Sequence, residues 1–329
     1  MRGSLSLIAA GAALALVAGC GASVDLSKST SPRRTVPAGS GFEPTTSAPG
    51  PTGTVDPEVL RRVDPCGLLD EDTLKPLGQP AESRLRDFSQ CSNYMKDSEG
   101  KELNFTLSVG DLTIGQPDAG SEIDGLPYVQ SELEDKSACF ATAITETNPN
   151  RGITVQVGRR DKGNLCVPGK AVLHSALAKI RKSPPQLELA KNTLVELEPC
   201  TLISETVIAT AVGANSRKRP SGAHACSWNG DGVSFMLTFR IGVRPDTIAD
   251  SAGTTPINLG DGVTAQQKPD KDGARCRVEW AHAAFPGDDE RAEVVALDYS
   301  RYSDKVAGED PCAKVQTVAK SLIPRLPKR

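Results

Sequence analysis

Aromatic residues are scarce in this chain, at 4% of 329 positions, and the only tryptophans are Trp228 and Trp280. With 38% hydrophobic residues there is material for cores of modest size but not for one large enzyme core, so two domains of ordinary size fit better. An excess of either charge is also missing. The 38 Lys and Arg face 41 Asp and Glu, a net charge of -3, which excludes nucleic-acid binding driven by bulk charge. Histidine is limited to His174, His224 and His282, and none lies in a His-Glu-x-x-His arrangement. No Gly-x-Ser-x-Gly elbow is present. Ser98-Glu99-Gly100-Lys101 fits Ser-x-x-Lys, but it lacks Ser-Asp-Asn and Lys-Thr-Gly companions and falls in a polar turn, where a chance match is expected. Asp270-Lys271-Asp272-Gly273 and Asp288-Asp289-Glu290 lack the distal glutamate of a calcium loop and read as solvated hairpin turns, as does Asn229-Gly230-Asp231-Gly232. No catalytic residue, metal site or cofactor is assigned.

The first twenty residues do carry a signal. Arg2 opens an apolar run from Leu5 to Ala18 that is too short to span a bilayer comfortably. Leu16-Val17-Ala18-Gly19-Cys20 resembles the lipobox of bacterial lipoproteins, which implies a signal peptide over 1–19 and lipidation of Cys20. Two or more acyl chains, at roughly 0.8 kcal/mol per buried CH₂, would anchor the protein to the membrane without spanning it. Residues 20–60 are rich in Ser, Thr, Pro and Gly and cannot bury a core, so they are expected to form a tether. About 40 residues span roughly 35 Å as a flexible coil and roughly 120 Å as polyproline II.

Setting Cys20 aside leaves eight cysteines, an even number in a chain sent to an oxidising compartment. Cys66, Cys91, Cys139 and Cys166 are separated by 25, 48 and 27 residues, and Cys200, Cys226, Cys276 and Cys312 by 26, 50 and 36. The local sequences repeat with the spacing: Asp64-Pro65-Cys66-Gly67-Leu68-Leu69 matches Glu198-Pro199-Cys200-Thr201-Leu202-Ile203, and Cys91-Ser92-Asn93-Tyr94 matches Cys226-Ser227-Trp228. Alternating strands follow, on Leu103, Phe105, Leu107 and Val109 and on Val233, Phe235, Leu237, Phe239 and Ile241. More strands are expected around Cys139–Ile144, Ile153–Val157, Cys276–Trp280 and Val294–Tyr299. Each copy closes with an amphipathic helix, on Leu173, Ala176, Leu177 and Ile180 and on Val315, Val318, Ala319 and Leu322. The expected class is therefore α+β, with two tandem domains over 61–185 and 196–329, each an antiparallel sheet flanked by an N-terminal and a C-terminal helix. Of the three pairings open to four cysteines, Cys66–Cys91, Cys139–Cys166, Cys200–Cys226 and Cys276–Cys312 are favoured because they staple each terminal helix to its sheet. The same repeat makes a disulfide the preferred reading of Cys226 over a metal thiolate beside His224.

The Pro-Cys helix start, the Cys-Ser-Trp strand start and the lipobox with its tether resemble the actinobacterial cell-envelope lipoproteins grouped as a domain family of unknown function. The resemblance covers about 64–182 and 196–329, and the first copy departs from it with Asn93-Tyr94 in place of Trp. It implies a location and an architecture but no reaction.

The reading that follows is a non-catalytic, monomeric binding or interaction module, lipid-anchored at Cys20 on the outer face of the cell membrane and extending into the wall. Its partner would be an envelope protein, lipid or glycan, not a nucleic acid. Trp228, Trp280 and Tyr299 are the candidate ligand-binding residues, because aromatic groups line pockets; packing against the neighbouring disulfides is their competing role. The basic run Arg217-Lys218-Arg219 reads as a solvated loop, or as a contact for lipid headgroups or anionic wall polymer. The alternatives to the module are an envelope hydrolase with a dispersed active site, a lipid- or glycan-binding carrier, and a structural wall spacer.

Overall fold

The computed structural model describes residues 55–247, 253–304 and 306–328. The expected signal peptide, the lipidated Cys20 and most of the tether lie outside the described residues. The expected tether ends too late. Helix α1 (Pro57–Arg62) begins inside it, because Asp56 accepts from the Glu58 amide (2.8 Å), Pro57 takes the first turn and Leu60 is buried in the first core.

The first half continues with α2 (Pro65–Leu68), α3 (Glu71–Leu74), β1 (Gly78–Gln79), β2 (Arg84–Asp87), β3 (Gln90–Asp97) and β4 (Glu102–Leu112). It then runs through β5 (Glu122–Ile123), β6 (Leu126–Glu132), β7 (Ala138–Glu146), β8 (Arg151–Gly158) and α4 (Cys166–Lys182). The second half comprises α5 (Pro199–Leu202), α6 (Glu205–Val212), β9 (Arg217–Gly222), β10 (Ala225–Gly230), β11 (Val233–Val243), β12 (Thr255–Gly260), β13 (Val263–Pro269), β14 (Arg275–Ala284), β15 (Arg291–Arg301) and α7 (Pro311–Leu322).

Both sheets are antiparallel and follow one path: β3-β4-β8-β7-β6-β5 in the first half and β10-β11-β15-β14-β13-β12 in the second. The correspondence is rooted in local chemistry. In both α2 and α5 a proline opens the helix and an acidic side chain, Asp64 or Glu198, accepts from the cysteine amide that follows. The α4 and α7 stripes then bury against the sheets, with Leu173, Leu177, Ile180, Val315, Val318 and Leu322 all fully enclosed. Disulfides Cys66–Cys91, Cys139–Cys166, Cys200–Cys226 and Cys276–Cys312 each join a helix to a strand, in the pairs that the stapling argument favours. The Asn229–Gly232 segment makes the expected tight hairpin: Asp231 and Gly232 both have positive φ (48° and 72°), and a Cβ on Gly232 would meet the Ser303 Oγ at 2.2 Å.

The halves meet through an exchange of turns. The turn between β2 and β3 places Phe88 in the core of the second half, where it is fully buried and lies 4.9 Å from the His224 ring. Beside it, Asp87 accepts from the Ile241 amide at 2.8 Å. In return, the turn between β9 and β10 lies against α1 and β8, with Arg61 donating to the Ala223 carbonyl (3.1 Å) and Arg151 to that of Gly222 (3.2 Å). Each half thus completes part of the other.

Candidate functional site

The three aromatic candidates belong to the core. Trp228, Trp280 and Tyr299 are 2%, 1% and 1% exposed, because strand alternation turns them to the side covered by α6 and α7. Trp228 meets Phe235 edge-on at 6.2 Å. The Tyr299 hydroxyl donates to Glu309 (2.7 Å), which also accepts from Arg301 and from Lys314 (2.5 Å). Its cationic and hydroxyl donors hold the Glu309 carboxyl down at about 2, while burial and the Glu309 carboxylate push the Tyr299 phenol up to about 12. This cluster locks the end of β15 to the start of α7. Trp280 does border two small crevices, one under the C-terminal segment with Ile323 and Leu326 and one beside Thr264 and Gln266.

The histidines are dispersed. His174 is exposed on α4 and pairs with Asp124 (2.8 Å), His282 is buried in β14, and His224 lies in the exchanged turn, where burial and the Arg61 guanidinium depress it to about 3. Among the described residues no group of three or more His, Cys, Asp or Glu is placed to hold a metal ion.

The opposite face of the second sheet has a different character. Side chains that alternate with the buried set point away from α6 and α7, and register aligns them into rows across the strands. In one row Arg217 (β9) stands opposite Asn229 (β10), Asn229 opposite Ser234 (β11), Ser234 opposite Ser300 (β15), and Ser300 opposite Arg275 (β14). Two residues along, the same strands contribute Arg219, Ser227, Met236, Asp298 and Arg277, with Lys268 of β13 beyond. Both rows cross the strands near one end of the sheet, and beside them a cleft of about 510 Å³ is lined by Met236, Lys268, Asp270, Arg277, Asp298 and Tyr299 among others.

Electrostatics divide this face. Glu279 is held by Arg240 (2.7 Å) and Arg277 (3.1 Å), and Asp298 lies 3.8 Å from Arg277. Burial raises the Asp298 carboxyl despite that guanidinium. Arg217, Arg219, Lys268 and Arg275 are exposed, and among the described residues none has a carboxylate at ion-pair distance. The run Arg217-Lys218-Arg219 therefore lies in the edge strand β9 and not in the expected loop. Its neighbours on the face come from residues as distant as Arg275 and Ser300, so no local motif announces the site. The sequence signals are the basic run Arg217-Lys218-Arg219 and the positions of β11 that alternate with its buried set, at Ser234, Met236 and Thr238.

No curated protein matches the chain. Among solved structures, the apo immunity protein TplEi of T6SS from Pseudomonas aeruginosa is 10% identical, over 66% of this chain and 76% of that one, with a TM-score of 0.24. The same immunity protein complexed with "L" peptide is 9% identical, over 73% and 96%, again with a TM-score of 0.24. Residues 178–325, which contain the second sheet with its polar face and the helices that cover its other side, match the family described as "Protein of unknown function (DUF3558)".

Proposed function

We propose that this protein is an extracytoplasmic lipoprotein, anchored through Cys20 to the outer face of the cell membrane, and that it acts as a non-catalytic binding module. The observation that carries the reading is the outer face of the second sheet: a broad surface with a cleft, bearing exposed cations without acidic partners, in a chain whose net charge is -3. Three acidic groups serve the structure: Glu309 ties β15 to α7, Asp87 is bonded across the junction and Glu293 accepts from the Leu194 amide at 2.6 Å. The first half supports and orients that face through the exchanged turns.

A photo-crosslinking side chain at Met236, in the full-length protein in its own envelope, tests the reading. The expected result is a covalent adduct at position 236 and none at the control position Gln156 on the first sheet. Equal labelling at both positions, or none at 236, would remove the outer face as the binding surface.

A further inference from the structure

We infer that the outer face of the second sheet binds a linear anionic polyol polymer, one whose phosphate or similar anionic groups are joined by hydroxyl-bearing units, lying across the strands along the row Arg217, Asn229, Ser234, Ser300, Arg275. This rests on the binding-module reading above and names the ligand class of the same surface.

The row has no acid in it. Its two ends are exposed arginines on β9 and β14, and its middle positions carry one amide and two hydroxyls, all half-buried. Neither the Ser234 nor the Ser300 hydroxyl is engaged by another described side chain, so both are available to a ligand, and Asn229 reaches only Ser227 at a long 3.5 Å. Four strand spacings of about 4.8 Å separate the terminal arginines, a reach of roughly 19 Å. A single small anion would touch one end, whereas an extended chain can place an anionic group on each guanidinium and lay its linking units over the donors between. Guanidinium groups suit such ends because their planar fork grips phosphate or carboxylate oxygens in pairs.

The parallel row strengthens the assignment and sets its orientation. Arg219 and Lys268 add exposed positive charge at both margins, while Asp298 in the centre is partnered by Arg277. A polyanion is therefore favoured along the acid-free row and disfavoured across Asp298. Asp270 lies close to Arg275, but its Oδ1 caps the turn before β14, accepting from the Ala274 (2.9 Å) and Arg275 (3.2 Å) amides. A straight row of donors across five strands also suits a chain better than a bilayer, which would engage exposed cations without regard to the hydroxyls between them.

The test is titration of the full-length protein with synthetic poly(glycerol phosphate) of about ten units, ample for a roughly 19 Å span. A two-unit fragment, too short to reach both arginines, and anionic phosphatidylglycerol vesicles serve as the comparison probes. The long polymer should bind, with affinity falling as salt is raised, and the fragment should bind at least about tenfold more weakly. The Arg217→Gln and Arg275→Gln double variant should lose at least about tenfold in affinity for the long polymer. Ser234→Asp, which leaves every cation in place, should weaken it similarly by putting an acid in mid-row, and Lys162→Gln on the first half should change nothing. Unchanged melting of each variant separates lost binding from lost fold. Equal binding of fragment and polymer, indifference to the row variants, or vesicle binding with the same sensitivity to Ser234→Asp would overturn the inference. If Met236 still crosslinks in the envelope while the polymer does not bind, the ligand class fails and the binding module stands.

Discussion

Replacing Asp111 by asparagine should stabilise the protein near neutral pH and remove one contribution to the pH dependence of its stability. Asp111 lies at the bulged end of β4, beside the exchanged turns, and its carboxylate accepts from the Ser89 hydroxyl at 3.0 and 3.1 Å. Burial, reinforced by the neighbouring Asp87 carboxylate and opposed by Ser89 and Arg151, raises it to about 6 from 3.8. A raised carboxyl binds its proton more tightly in the folded chain than in the unfolded one. The Asp111 contribution to stability therefore grows as pH falls through about 6 towards 3.8, and the ionised form costs stability above that window. The difference of about two pKa units corresponds to an upper limit of about 3 kcal/mol, which the residual solvent contact of this half-buried residue reduces to about 1–2 kcal/mol. Asparagine keeps an oxygen for Ser89 and removes the charge. Urea denaturation at about pH 7.5 and about pH 5, compared at constant m, measures the effect. Asp111→Asn should be about 1–2 kcal/mol more stable than wild type at the higher pH, and that advantage should shrink by about 1 kcal/mol at the lower one; His224, depressed to about 3, lowers the stability of both proteins alike as pH falls through 6.5, so the quantity read is the difference between them. Glu309, held near 2, works in the opposite sense below its unfolded value of 4.5, so the comparison stays above that range. A variant no more stable than wild type at about pH 7.5, or an advantage over wild type that does not shrink between about pH 7.5 and 5, would refute the argument.

Phe88→Ala removes a side chain of the first half from the core of the second and should cost about 3–4 kcal/mol. Because a residue of the first half fills the second core, intrinsic fluorescence of the second-half tryptophans and circular dichroism should report one transition, and two separated transitions would contradict the exchanged-turn junction. The double replacement Cys276→Ala with Cys312→Ala opens a 36-residue loop and should cost up to about 4 kcal/mol in urea, with a change under about 1 kcal/mol counting against the staple. Cys20→Ser should shift the protein from the membrane pellet to the soluble fraction without altering its melting temperature, and continued fatty-acid labelling of that variant would rule out Cys20 as the anchor.

The architecture could be read from the sequence because its determinants are local or periodic. Pro65-Cys66 and Pro199-Cys200 start helices through capping, and the alternation from Val233 to Ile241 assigns one face of β11 to the core without any tertiary knowledge. The strands β6 and β13 escaped notice because their runs are short and interrupted, by Pro127 in one and by Gln266 and Gln267 in the other. Helix α1 was hidden by its Pro- and Ser-rich surroundings, where Leu60 and Val63 are the buried apolar anchors. The candidate face is a harder case. Arg217, Ser234 and Arg275 become neighbours in a row only through the pairing of five strands, and a shift of one residue in any of them would turn its donor to the buried side. The aromatic residues are the complementary case: the burial of Trp280 and Tyr299 is decided by the helices α6 and α7, which only the tertiary fold lays over them.

The four disulfides also decide how the molecule would answer a pull on its ends. A load entering at the N-terminus reaches Cys66 and crosses through sulfur to Cys91 in β3, leaving α2 and α3 outside the line of tension. At the far end the load passes from Cys312 to Cys276 in β14, so the hairpin of β14 and β15 is closed inside a covalent loop that cannot pay out. The remaining two bridges, Cys139–Cys166 and Cys200–Cys226, shorten the path again in the middle of the chain. Tension is thereby delivered to hydrogen-bonded strands within the sheets and not to the short helices at their margins, and the length that could unravel is confined to the segments between bridges. A surface built on strand register, as the outer face of the second sheet is, would keep its register under a load that peels away an unstapled terminus.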